Sequence, residues 1–241
     1  MKLSIPCMQC GFPKDGTSQD FKLYSVPVRD DSVYEIICCR GHKTVTVLQE
    51  EKYEILFEIA INAVSDGYYR DAVASATSSL ERFYEFFVRV VCRAYKIPAP
   101  ELEAAWKHVK STSERQLGMF LATHILHFKK APMLMPGKRV EFRNDVIHKG
   151  HIPLKEEAVN YINTVLELIN PILIEIKKTM ADSAQALTME RLTERHSRLG
   201  EIPRATMSIG SLVSLVLSLS EPHPTNIEAA LKRIEDKRFK G

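Results

Sequence analysis

The chain of 241 residues is short of several things that would place it at once. It has no long apolar run. The most apolar stretch, Ile209 to Leu219, is broken by Gly210, Ser211, Ser214 and Ser218 and falls short of the ~20 residues that a membrane span needs. The opening "MKLSIPCMQC" lacks the apolar segment of a secretory signal. A Walker loop, a G-x-G-x-x-G turn and a G-x-S-x-G elbow are all missing, as are internal repeats and low-complexity tracts. A strong charge of one sign is missing too: the net charge is +3. That is too mild to mark a nucleic-acid binder alone, yet it does not repel a polyanion. These absences lead us to expect a cytoplasmic protein with no membrane segment. In that reducing compartment the five cysteines argue for metal ligation or burial rather than disulfides.

What is present suits a globular protein with one sizeable core and a small appendage: 45% apolar and 26% charged residues. The appendage comes first. Cys7 and Cys10 form a C-x2-C pair followed by turn chemistry in "FPKDG", and "CCRGHK" later offers Cys38, Cys39 and His42. Short β-type segments, "YSVPV", "SVYEII" and "TVTVL", lie between and after the two clusters. Two ligand pairs on turns joined by strands are the plan of a zinc ribbon over residues 1–48. Thiolates and imidazole suit a four-coordinate structural Zn²⁺, one per chain, and so small a β segment gains stability from a metal staple. Cys7, Cys10 and His42 are straightforward ligands. The fourth is Cys38 or Cys39; Cys38 is preferred, because C-x2-GH resembles the second knuckle of a common ribbon type. With four protein ligands no position remains for a substrate.

From Glu50 the apolar period changes from two to about 3.6. One helix is predicted to end at Asp66-Gly67, and a longer one to run from Tyr69 to before Pro98. A helical region is predicted from Glu101 to Phe128, anchored by Trp106. After "APMLMPGK" a short helix is predicted over Arg139–Lys149 with Gly150 as its stop, and then a helix over Leu154–Thr179 that Pro171 should kink or split. Short connections make this an up-and-down bundle over residues 49–181. Residues 182–241 form a helical extension of undetermined role. Cys92, and the pair His124 and His127, read as packing residues.

The short helix carries an unusually dense polar set, "EFRNDVIHKG". Asn144 and His148 are four apart and share a face, while Arg143 lies about 140° of rotation from His148, so the two flank a groove. Arginine offers a fork of donors for a phosphate, and histidine exchanges a proton near neutral pH. An amide can orient the imidazole or bind ribose. Such groups suit metal-independent RNA cleavage by attack of the 2′-OH on the adjacent phosphorus. Lys149 and His151 sit near enough to bind the backbone or form a solvated turn, Asp145 is placed to cap or to pair with Lys149, and Glu81 faces the cleft, pairs within its own helix or is solvated.

The string "RNDVIH" fits the R-x4-H form of the signature of the HEPN superfamily. "DGYYRDAVASATSSLERFYEFF" resembles the first helical hairpin of that superfamily, and "RNDVIHKGHIPLKEEAVNYI" its active-site helix and the next one. The resemblance covers roughly residues 50 to 180, behind the ribbon. It implies a mainly α fold: a HEPN-like bundle preceded by a small β zinc ribbon. It also implies a homodimer in which two R-x4-H helices share one cleft, with Arg143 on the scissile phosphate, His148 as general base or acid and Asn144 positioning one of them. A toxin–antitoxin or anti-phage defence setting, with an antitoxin or defence-system partner, is implied as well. Two other expectations stand beside this one: a noncatalytic HEPN interaction module, partnering an antitoxin or a nucleotidyltransferase, and a zinc-ribbon nucleic-acid-binding regulator with a helical dimerisation domain.

Overall fold

The computed structural model describes residues 1–10, 22–214 and 226–239, with side chains to 236. The "FPKDG" turn and residues 215–225 of the apolar tail lie outside the described residues. The chain is mainly helical, with a small antiparallel β region preceding a helical bundle. It divides into two compact units. One comprises residues 1–50 with 188–209, the other 51–187 with 210–241. The stretch expected to be a C-terminal extension is thus shared between them.

In the first unit, β1 (Lys2–Pro6) pairs antiparallel with β2 (Leu23–Pro27). A second sheet holds β3 (Val33–Ile37) and β4 (Lys43–Leu48), antiparallel. Period-two alternation places Tyr34 and Ile36 inward and Glu35 and Ile37 outward. The turn between the sheets is fixed locally. Asp31 accepts from the Val33 N–H at 3.1 Å and pairs with Arg29 at 2.7 Å, and Arg29 N–H donates to the Tyr34 hydroxyl at 3.1 Å. The remainder of this unit comes from far along the chain. The late helix α7 (Ala181–Ser197, numbered in chain order with the helices below) begins in the helical unit and ends in this one. Beyond it, β5 (Arg204–Met207) adds to β4 in parallel, Val45 opposite Arg204. Arg195 donates to the Leu48 carbonyl at 2.8 Å, and Arg204 donates to the carbonyls of His196 and Leu199, both at 2.9 Å. The His196 carbonyl also accepts from the Leu199 N–H at 3.1 Å, so Arg204 ties the end of α7 to the residues just beyond it.

The second unit starts with α1 (Lys52–Ser65), where Glu54 reaches back to the Glu51 N–H at 2.8 Å. Its stripe of Tyr53, Phe57, Ala60, Ile61 and Val64 is buried against α2 (Tyr69–Ala94). The expected region from 101 to 128 is two helices, α3 (Ala99–Val109) and α4 (Ser113–Phe128). The break has a visible cause: Thr112 is extended, and buried Gln116 donates to the Lys110 carbonyl at 2.8 Å while accepting from Arg82 at 2.6 Å. Helix α2 is central, packing on α4, on α5 (Gly137–His148) and on α6 (Lys155–Thr179). Tyr53 meets Phe83 edge-on at 5.3 Å, and Tyr84 stacks on Phe120 at 4.1 Å. Such rings bury the area that dominates a core of this size. Pro171 does not split α6. It sits on the exposed side, and the carbonyl it deprives of a partner belongs to Glu167, which is also exposed to solvent. The last helix, α8 (Ile227–Phe239), packs on α1 and α6, and Asn226 accepts from the Ala229 N–H at 2.8 Å as its cap.

His124 is buried among Phe87, Phe120 and Phe128, with Nδ1 3.0 Å from the Lys130 carbonyl. Burial holds its pKa below the ordinary histidine value. The H-x2-H pair is aromatic packing, as its sequence context suggests.

Candidate functional site

Two sets of chemically able residues stand out, one in each unit. In the first unit, Cys7, Cys10, Cys38 and His42 bring their ligand atoms within 4.8 Å of one another. Cys10 Sγ lies 3.7 Å from Cys38 Sγ and 3.4 Å from His42 Nδ1, and Cys7 Sγ lies 3.9 Å from that nitrogen. The second knuckle is built by its own backbone. Cys38 N–H donates to the His42 carbonyl at 3.0 Å, Gly41 N–H to the Cys38 carbonyl at 2.9 Å, and Arg40 N–H to the Cys38 sulfur at 3.3 Å. Gly41 adopts φ +78°, which a side chain would strain. Cys38 is buried and continues the inward alternation of Tyr34 and Ile36. Cys39 is exposed, and its N–H donates to the Tyr24 hydroxyl at 2.8 Å. The fourth member is therefore Cys38.

Burial opposes ionisation of Cys7, but the backbone N–H groups of Cys10 and Gln9 outweigh it and hold the thiol below its ordinary value. Desolvation and the adjacent sulfurs of Cys38 and Cys7 push Cys10 up to about 11. Crowded thiols that resist ionising together, close to one imidazole, are a donor set that a soft or borderline cation relieves. The residues fit a metal ion.

In the second unit, α5 carries the polar set. Val146 is its buried residue; Arg143 and Asn144 are half-buried and His148 is exposed. Among the described residues, none of the side chains of Arg143, Asn144 and His148 makes a hydrogen bond or ion pair. Asp145 does: it binds Lys149 at 2.8 Å, which raises the lysine pKa. Gly150 ends the helix at φ +76°, and His151 N–H turns back to the Asp145 carbonyl at 3.0 Å. The His151 ring lies 3.8 Å from Glu157 and edge-on to Phe142 at 6.0 Å. Lys149 and His151 thus each face a carboxylate of their own segment.

Behind α5 lies a polar group in the bundle that joins three helices. Thr77 on α2 donates to the Val73 carbonyl and sits 2.9 Å from the Tyr161 hydroxyl of α6. The Tyr161 ring lies 5.8 Å from Phe142, the residue before Arg143. One turn along α2 from Thr77 is Glu81, half-buried and without a hydrogen bond among the described residues. Burial raises its pKa, an effect that Arg82 and Arg143 oppose and Glu114 reinforces. Sequence reasoning left Glu81 between cleft and solvent. Tyr161 it missed, since only the packing of α2 on α6 brings that phenol to Arg143.

Fold and first site define a mainly helical chain with a Cys₃His cluster fitted to hold a metal ion. No protein-family model, curated protein or solved structure matches the chain. No helix among the described residues is long and apolar enough to cross a membrane.

Proposed function

We propose that the protein is a metal-independent endoribonuclease of the HEPN type, a toxin or anti-phage defence effector acting in the cytoplasm as a homodimer. The observation that carries this reading is α5. It holds a guanidinium, an amide and an imidazole that make no side-chain hydrogen bond or ion pair among the described residues, in R-x4-H spacing, with the half-buried Glu81 carboxylate within electrostatic reach of Arg143. In the proposed step one His148 removes the 2′-OH proton, the 2′-oxygen bonds to phosphorus, and the bond from phosphorus to the 5′-oxygen breaks. The His148 of a second copy protonates that leaving oxygen. Arg143 stabilises the charge that builds on the phosphoryl oxygens, and Asn144 orients an imidazole. Products are a 2′,3′-cyclic phosphate and a 5′-hydroxyl. Lys149 and His151 would bind flanking phosphates by leaving Asp145 and Glu157. Apolar residues flank α5 on both sides in the chain: Met133 and Leu134 before it, Ile152 and Leu154 after it, all exposed. A second copy would cover them.

For the cluster in the first unit we assign structural Zn²⁺, held by Cys7, Cys10, Cys38 and His42. A tetrahedral ion with Zn–S bonds of ~2.3 Å sets its sulfurs about 3.8 Å apart, and the observed separation of Cys10 and Cys38 sulfurs is 3.7 Å. The ion would supply folding energy and no catalysis.

Total cellular RNA incubated with the zinc-loaded protein in Mg²⁺-free buffer without chelator should give fragments with 5′-hydroxyl ends. Arg143→Ala and His148→Ala should each slow cleavage by about 10²–10⁴-fold without changing circular dichroism or dimer mass. Cleavage that persists in both variants, or that needs Mg²⁺, overturns the mechanism. No cleavage by the wild type would favour the noncatalytic interaction module.

A further inference from the structure

The first unit contains a groove of about 810 Å³ that neither the ribbon cluster nor α5 explains. Four arginines line it, from two separate elements, together with the carboxylates of Asp30, Asp31 and Glu194. Arg191, Arg195 and Arg198 follow one another on α7 and just past its end at spacings of four and three, which stacks them on one face. Arg29 faces them from the turn between β2 and β3. Cations near a helix C-terminus are favourable on the helix dipole alone, so the α7 row would mean little by itself. The turn that supplies Arg29 has no such reason to place a guanidinium there.

Two of these arginines are held in place. Arg195 is fixed on the Leu48 carbonyl, and the Arg29 turn is locked by the Asp31 and Tyr34 bonds described above. The ion pairs of Arg29 with Asp31 and of Arg198 with Glu194 are solvent-exposed. Pairs of that kind contribute about 0–1 kcal/mol, so a phosphate can replace the carboxylate with little penalty. The carboxylates then remain as acceptors, which suits the exocyclic amino groups of bases, and Val33 and Leu199 supply apolar surface. Forked donors for phosphates, acceptors for amino groups and a patch to rest a base on describe one ligand class.

We infer that this arginine groove binds single-stranded RNA, engaging its phosphates through Arg29 and Arg198. The inference rests on the reading that RNA is the substrate, and it gives the first unit a role in holding that RNA.

The test uses the full chain in a His148→Ala background, with a fluorescein-labelled 20-nucleotide RNA of mixed sequence followed by anisotropy. Arg29→Glu with Arg198→Glu is compared with Lys107→Glu and Lys110→Glu, two exposed positions on or beside α3 that change the net charge equally. The groove pair should weaken binding at least tenfold more than the control pair. It should also flatten the dependence of log K on log salt by about 0.7 for each phosphate no longer neutralised. Unchanged circular dichroism and metal content would show that the unit stays folded. Equal affinities and salt slopes for the two pairs would overturn the inference, as would binding unaffected by either. The cleavage reading fails separately: a wild type that cuts no RNA yet loses binding with the groove pair keeps this inference and removes the other.

Discussion

At the scale of single residues, Glu81 shows how the bundle shapes the chemistry on α5. Its carboxyl is half-buried on α2, with Arg82 on its own helix, Arg143 on α5 and Glu114 on α4 acting on it, and Tyr161 and Tyr84 close by. Its pKa is raised in the folded chain. Stability is therefore full below the unfolded value and is lost as pH rises through the folded value, because the unfolded chain ionises more readily. Glu81→Gln should raise Tm at pH 7 by about 2–4 °C, which is roughly 1 kcal/mol for a chain of this size. The gain should vanish near about pH 3, where the carboxyl is neutral in the folded and the unfolded chain. Thermal melts at the two pH values check the sign, and an equal gain at both would refute it. The choice between Cys38 and Cys39 also belongs at this scale. It was legible in principle: strand alternation from Tyr34 through Ile36 puts Cys38 inward. Tyr161 was not legible, since no local pattern links it to a helix about a dozen residues earlier and to α2 beyond that.

Elements were read well where periodicity was strong and badly where a distant partner decided the matter. The stripes of α1, α2 and α6 gave those helices to within a few residues. The break between α3 and α4 depends on Gln116 bonding across to Arg82, which no period reveals. Strand β5, "RATM", alternates over only four residues, too few to mark a strand by pattern alone; it is a strand because β4 offers a free edge. Helix α8 is the most exposed to test. Asn226 caps it from a position beside residues outside the described set, and Asn226→Ala should cost about 1 kcal/mol. Hydrogen exchange should show that loss as faster exchange within α8, with α2 unaffected; uniform change along the chain would refute a local cap.

For the whole molecule, the division into two units predicts how metal removal acts. The zinc assignment places every ligand in the first unit, while the aromatic and aliphatic core of the helical unit contains none. Elemental analysis should find about one zinc per chain. Cys38→Ser should lose it and Cys39→Ser should keep it. Stripping the ion should remove β structure and leave most of the helical signal in circular dichroism; collapse of both together would show that the units do not fold separately.

The parallel pairing of β5 with β4 sets a condition on synthesis. Residues 43–48 leave the ribosome long before residues 204–207, and the helical unit's residues 51–187 are made in between. Translation at about 5–20 residues per second leaves the nascent chain for several seconds with β4 able to pair with β3 alone, its other edge open to any extended strand that meets it. A product that stops before residue 204 keeps that edge open permanently.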